Sequence, residues 1–351
     1  MKYYSQFSAP ADSTRVSDKP CAGGILRFPD LPGLPLMLSI MMESDESPKV
    51  TSIFIRECYL TWFDRFILDI KQTRKRKFGL SSTPGCGKTM AINFILKMAT
   101  SVPELRDRPI LLQYRKKFFY IKSDRVFRIT ANEARKIAGE EETFYILDGH
   151  GAKRVLCHCL TLFISSPRDY FRSWLNQAMI TSSYFPVWTL DELRKCRMLC
   201  YGTIAQTVVD DRYSQYGGIP RYAFCPPAEL PSLENVIADS DARKSIRAVW
   251  DPSAMFPTSH ILLHISVDEN FHYHDLVLAS RYVGVLLFSR HFQQMFDRLK
   301  EVLGGGFALG FAGSLFECYI HYLFENGYNQ PLTCRSLEGL HCPISRSINR
   351  I

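Results

Sequence analysis

The sequence predicts an α/β fold built around a mainly parallel sheet, on three observations. Two continuous apolar runs, Thr143 to Gly149 and Leu156 to Pro167, have the composition of strands buried on both faces. Another strand, Lys77 to Leu80, leads through a glycine-containing turn into a helical stripe of Met90, Ala91, Phe94, Ile95 and Met98. Strands then alternate with helices, the pattern of a doubly wound sheet covered on both faces. Hydrophobic residues make up 46% of the 351 and charged residues 22%, which suits two ordinary domains or one large α/β domain with appendages.

Taken in order, residues 1–50 are rich in Pro, Ser and Asp, lack a sustained period, and read as an irregular lead-in around one apolar patch, Leu34 to Met42. Residues 52–70 carry Ile53, Ile55, Tyr59, Leu60, Phe63, Phe66, Ile67 and Ile70, the spacing of an amphipathic helix. Lys71 to Lys77 holds five basic residues in seven, either a solvated connector beside an anion site or a nuclear-import or nucleic-acid patch. Residues 109–129 alternate apolar and charged side chains and read as two strands. Their basic and aromatic mixture also suits nucleic acid, but half-buried strands account for it more simply. Thr130 to Ile137 starts a helix with a Thr cap and Glu133 in the capping-box position. A further helix is expected from Arg168, and another ends at Gly217-Gly218, where Pro220 fixes the next turn and holds Arg221 in place.

The turn Ser82-Thr-Pro-Gly-Cys-Gly-Lys-Thr89 fits the P-loop pattern G-x-x-x-x-G-K-[S/T], with Ser82 at the first glycine. In that pattern the backbone N–H groups from Gly85 through Cys86, Gly87 and Lys88 to Thr89 surround phosphate at a helix N-terminus, with Pro84 and Met90 flanking. Lys88 faces the β- and γ-phosphate oxygens, and the Thr89 hydroxyl takes a Mg²⁺ position. Such a site needs an acid at the tip of a neighbouring buried strand, and Asp148 fits. The expected fold is therefore a P-loop NTPase three-layer sandwich, a small helical lid and an α-rich C-terminal region. ATP and Mg²⁺ are the expected cofactors.

The residues after Asp148 are Gly149 and His150, where many ATPases carry a Glu that polarises the attacking water. Slow turnover, or His150 as base, follows from that absence. Ser165 or Ser166 could sense the γ-phosphate or simply cap the next helix. Arg221 suits phosphate through its planar fork, or is a surface residue after a helix stop. Cys157-His158-Cys159 cannot converge on a metal if extended, because alternation sends the histidine to the opposite face. The net charge of +8 suits an anionic partner, which a nucleotide satisfies. Eleven scattered cysteines without C-x-x-C spacing favour a reducing compartment. With no apolar run of about 18–20 residues and no signal-peptide core, the chain reads as soluble and intracellular, without a membrane partner.

Several segments in order resemble one family: Thr83 to Thr89, Tyr145 to Gly149, Ser165-Ser-Pro167, Pro186-Val-Trp-Thr-Leu-Asp-Glu-Leu193 and Tyr213 to Tyr222, which contains G-G-I-P-R. The likeness continues through Ser259 to His264, Ala279 to Val283 and Gly313 to His321, over roughly residues 75–340. The set is similar to the NTPase module of retrotransposon hot spot proteins and Crinkler-type effectors. The resemblance implies an AAA-like or STAND-like ATPase core at 51–180, a lid and α-rich region at 181–300, and association with chromatin or a host nucleus. It also implies that 301–351 is the start of a truncated nuclease-like segment, with Glu317 lacking the further acids that a metal-dependent nuclease needs. The N-terminal L-x-L-F-L-A-K motif of Crinklers has no counterpart here beyond Leu34 to Ile40. A nucleotide-gated interaction module and a nucleic-acid-acting protein are the rival readings.

Overall fold

A computed structural model describes residues 21–27, 52–73, 75–114, 116–122, 125–149, 157–167, 180–239, 259–305 and 309–326. The chain enters through a small antiparallel ribbon, β1 (Ile25–Arg27) against β2 (Ser52–Phe54). The amphipathic pattern expected over 52–70 thus begins as a strand, and the helix α1 occupies Glu57–Gln72. The rest of the expected lead-in, including Leu34 to Met42, lies outside the described residues.

β3 (Lys77–Ser82) runs through the glycine turn into α2 (Lys88–Ala99), as its strand–turn–helix pattern predicts. After the short α3 (Pro103–Arg106), the region read as two strands forms three: β4 (Ile110–Tyr114), β5 (Lys117–Lys122) and β6 (Arg125–Ile129). Antiparallel pairing of Tyr114 with Lys117 and of Lys122 with Arg125 splits one alternating stretch into a meander that its periodicity alone does not divide. α4 (Ala131–Ala138) begins at Thr130 with the expected reciprocal capping box to Glu133. β7 (Phe144–Asp148), β8 (Leu160–Ile164) and β9 (Ile180–Phe185) complete a seven-stranded sheet in the order β6-β5-β4-β7-β8-β3-β9. β4, β7, β8, β3 and β9 are parallel, while β5 and β6 extend the edge antiparallel. Every residue of β7 and β8 is buried, which explains their unbroken apolar sequence.

Two cores cover the sheet. Phe63 and Phe66 of α1 and Phe94 and Ile95 of α2 pack on Phe78, Leu80, Ile146 and Leu162. On the other face Ala134 and Ala138 of α4 meet Leu111, Tyr145, Leu147 and Phe163. A third apolar cluster follows the sheet. It draws on α5 (Leu190–Cys200), α6 (Gln206–Tyr216), α7 (Pro220–Phe224), α8 (Leu233–Asp239) and α9 (Ser259–Leu262), on the hairpin of β10 (Leu263–Val267) with β11 (Tyr273–Leu278), and on α10 (Arg281–Gly305) and α11 (Leu309–Asn326). The lid and α-rich region expected over 181–300 thus also contains a β-hairpin. This hairpin docks on the sheet: Tyr184 N–H donates to Phe271 O at 2.7 Å, and Ile265 N–H donates to Thr83 Oγ1 at 2.9 Å.

Candidate functional site

Two glycines in the left-handed region, Gly85 at φ 91° and Gly87 at φ 88°, shape the turn between β3 and α2. The turn surrounds the N-terminus of α2, where the positive end of the helix dipole favours an anion. Lys88 Nζ folds back over the turn and donates to Ser82 O at 3.0 Å, Ser82 Oγ at 3.1 Å and Thr83 O at 3.4 Å. Among the described non-glycine residues, only Phe271 has a positive φ, so position 82 does not require the glycine of the usual pattern. The buried serine instead supplies Lys88 with a hydroxyl acceptor.

Thr89 Oγ1 donates to Asp148 Oδ2 at 2.9 Å. Asp148 ends β7 level with Tyr114 of β4 and Ile164 of β8, and is 5% exposed. A hydroxyl and a carboxylate side by side are hard oxygen donors of the kind that suit Mg²⁺. The residue after Asp148 is fixed by packing. A Cβ on Gly149 would lie 2.3 Å from Phe163 Cε2 and 3.0 Å from Ser165 Cβ, so a Glu cannot stand there without displacing the β8 side chains. His150 lies outside the described residues.

A cavity of about 660 Å³ brings together Pro84, Gly85, Gly87, Lys88, Thr89, Met90, Asp148, Ser166 and Arg221. Cys86 departs from that set: its side chain is buried in the lid core, where burial pushes its thiol pKa up, and it offers the site only its backbone. Arg221 is exposed and belongs to the short helix α7, which packs on the loop. A Cβ on Gly85 would meet Ile219 Cγ2 at 2.8 Å and Arg221 Cβ at 3.3 Å. The G-G-I-P-R segment is thus the loop's immediate neighbour.

Much of the remaining lining is apolar or aromatic and was not anticipated: Ile53, Phe54, Tyr59, Tyr201 and Phe224, with Cys196 and Cys200. Arg56 holds this wall together. It is 1% exposed and forms a bidentate pair with Glu192 at 2.9 Å, while also donating to Pro186 O at 2.9 Å and Val187 O at 3.0 Å. Glu192 at the same time accepts from Thr189 N–H at 2.9 Å, in the capping box that opens α5. A lone Arg ahead of an amphipathic helix gives no sign of a partner 136 residues away.

Other expected features fall elsewhere. Cys157 and Cys159 both approach Thr161 Oγ1, at 3.1 and 3.9 Å, whereas His158 is exposed, so the three do not converge. No group of three or more His, Cys, Asp or Glu suited to a metal occurs among the described residues. Lys71, from the basic run, pairs with Glu104 at 2.8 Å. Glu317 is exposed on α11, 3.9 Å from His321. No described helix is long and apolar enough to cross a membrane.

No protein-family model matches the chain, and no curated protein matches it. Among solved structures, two point variants of Thermotoga maritima RuvB are similar. One shares 13% identity with a TM-score of 0.29, over 78% of this chain and 88% of its own. The other shares 14% with a TM-score of 0.28, over 76% and 87%.

Proposed function

We propose that this chain is an ATP-binding P-loop NTPase that hydrolyses nucleotide slowly and uses the bound state to set the position of its lid. The observation that carries the proposal is the convergence, in one cavity, of a glycine turn at a helix N-terminus, Lys88, and the Thr89–Asp148 hydrogen bond. Lys88 would exchange its contacts with the turn's own oxygens for phosphate oxygens. Thr89 and Asp148 would hold Mg²⁺, which when bound screens phosphate charge. Ser166, two residues past β8, and Arg221, on α7, flank the same space and would register the terminal phosphate.

A second reading, a nucleotide-gated interaction module that barely turns over, is favoured by the crowding at Gly149, which keeps a water-polarising Glu from following Asp148. The ordered sequence motifs further support membership of the retrotransposon hot spot or Crinkler group. That would bring an AAA-like or STAND-like core, a chromatin- or host-nucleus-associated role, and a nuclease-like C-terminal segment with nucleic acid or another protein as partner.

Equilibrium titration with ATP and GTP, with and without Mg²⁺, tests the core of this proposal. Tight binding that weakens in Thr89→Ala only when Mg²⁺ is present is expected. Affinity indifferent to Mg²⁺ in both proteins would overturn the assignment of Thr89.

A further inference from the structure

We infer that Trp188 positions the phosphate-binding backbone of the loop; the inference rests on the nucleotide-binding reading above and adds a residue to it. Trp188 lies in the link between β9 and α5 and is 6% exposed. Its indole Nε1–H donates to the backbone carbonyl of Cys86 at 3.0 Å. A peptide unit is planar and trans, so the Cys86 C=O and the Gly87 N–H point in opposite directions. Holding the carbonyl on the indole therefore aims the Gly87 N–H away from Trp188, as a donor for an anion held by the loop. Glycine has the freedom to let this peptide rotate, and Gly87 sits at φ 88°. The indole removes that freedom before any ligand arrives, which is how preorganised donors gain their effect.

Trp188 is itself fixed from three sides. Its N–H donates to Gly218 O at 2.9 Å, and a Cβ on Gly218 would come within 1.9 Å of Trp188 O. The second glycine of G-G-I-P-R is thus required by the close approach of the Trp188 backbone. The Phe54 ring lies 5.5 Å away, and the Arg56 guanidinium stands 5.0 Å from the indole centroid. Ribbon, lid and loop therefore meet at one side chain, and a shift of the lid is transmitted to the Cys86–Gly87 peptide.

Trp188→Phe keeps most of the ring and removes the donor. The test combines amide hydrogen exchange of the whole 351-residue chain without nucleotide and ATP titration of wild type, Lys88→Ala and Trp188→Phe. Faster exchange confined to residues 84–90 is expected, with ATP affinity reduced about fivefold to tenfold, the scale of one neutral hydrogen bond. Exchange that rises equally across residues 190–224 would make Trp188 a packing residue only. Unchanged loop exchange with wild-type affinity would overturn the inference and leave the P-loop reading standing. If wild type binds neither ATP nor GTP, the P-loop reading fails and this inference falls with it. Should Trp188→Phe not fold, the wild-type indole N–H is followed by NMR. Slow exchange and a shift on adding ATP support the inference, and a freely exchanging, unmoved signal overturns it.

Discussion

Lys88 is kept in place by the loop it serves, through the Ser82 hydroxyl and the carbonyls of Ser82 and Thr83. Its side chain thereby stays at the mouth of the α2 N-terminus with little rotamer freedom left to lose on binding. Replacing it with alanine should weaken ATP binding about 10- to 100-fold, the range for a hydrogen bond to a charged group. Isothermal titration reads this directly. At Gly149 the constraint is steric: Gly149→Ala should lower stability by about 1–3 kcal/mol in denaturant unfolding, because its Cβ overlaps Phe163. His264 tests the lid. Its Nε2 is buried without a hydrogen-bond partner among the described residues, and burial, helped by His260, pushes its pKa down to about 3. The unfolded chain, with an ordinary histidine near 6.5, then binds more protons than the folded one between these values. Stability from the neutral ring is complete above the unfolded pKa and declines as pH falls below it, by about 2 kcal/mol at pH 5. Unfolding curves at pH 7 and pH 5 should show this loss. A His264→Gln variant that loses as much over the same interval would contradict it.

Among the elements, the link between β2 and α1 is joined to α5 by the ion pair of buried Arg56 with half-buried Glu192, not by apolar packing alone. Arg56→Ala would take the donor from two carbonyls and from Glu192, which stays partly exposed and keeps the Thr189 N–H, and should cost about 2–3 kcal/mol in unfolding free energy. Glu192→Gln keeps the shape and should cost less. A near-neutral Arg56→Ala would show that the clamp is not structural. This element also marks how far the sequence carries. The P-loop, α2 and the doubly buried β7 and β8 were legible because their signals are local: glycines at fixed spacing, a helical stripe, unbroken apolar runs. The capping box at Thr130 was equally local. The division of 110–129 into three strands was not, since alternation marks extended chain without marking where it reverses. The hairpin at 263–278 and the roles of Arg56 and Trp188 were hidden for a related reason. Each depends on partners that folding brings together from distant segments, such as Ile265 on Thr83.

For the whole molecule, the cavity lies where the C-terminal ends of parallel strands β3, β7 and β8 meet the lid cluster, the usual position for a ligand in a doubly wound sheet. The sheet core and the lid core meet along the phosphate loop, where Trp188 sits on Cys86, Ile219 on Gly85 and Ile265 on Thr83, and again where Tyr184 N–H donates to Phe271 O. A nucleotide bound there would join the two cores. At a hundredfold excess over its Kd, ATP should add about 2.7 kcal/mol to unfolding free energy and raise the melting temperature, against about 0.4–1.4 kcal/mol in Lys88→Ala at the same ATP concentration.

The most direct measurement is ATP binding together with Mg²⁺-dependent phosphate release, for purified wild type beside Lys88→Ala. One ATP bound per chain and slow release that requires Mg²⁺ are expected, with binding weakened about 10- to 100-fold and release lost in the variant. Absence of binding in wild type, or binding that Lys88→Ala leaves intact, would contradict the P-loop reading.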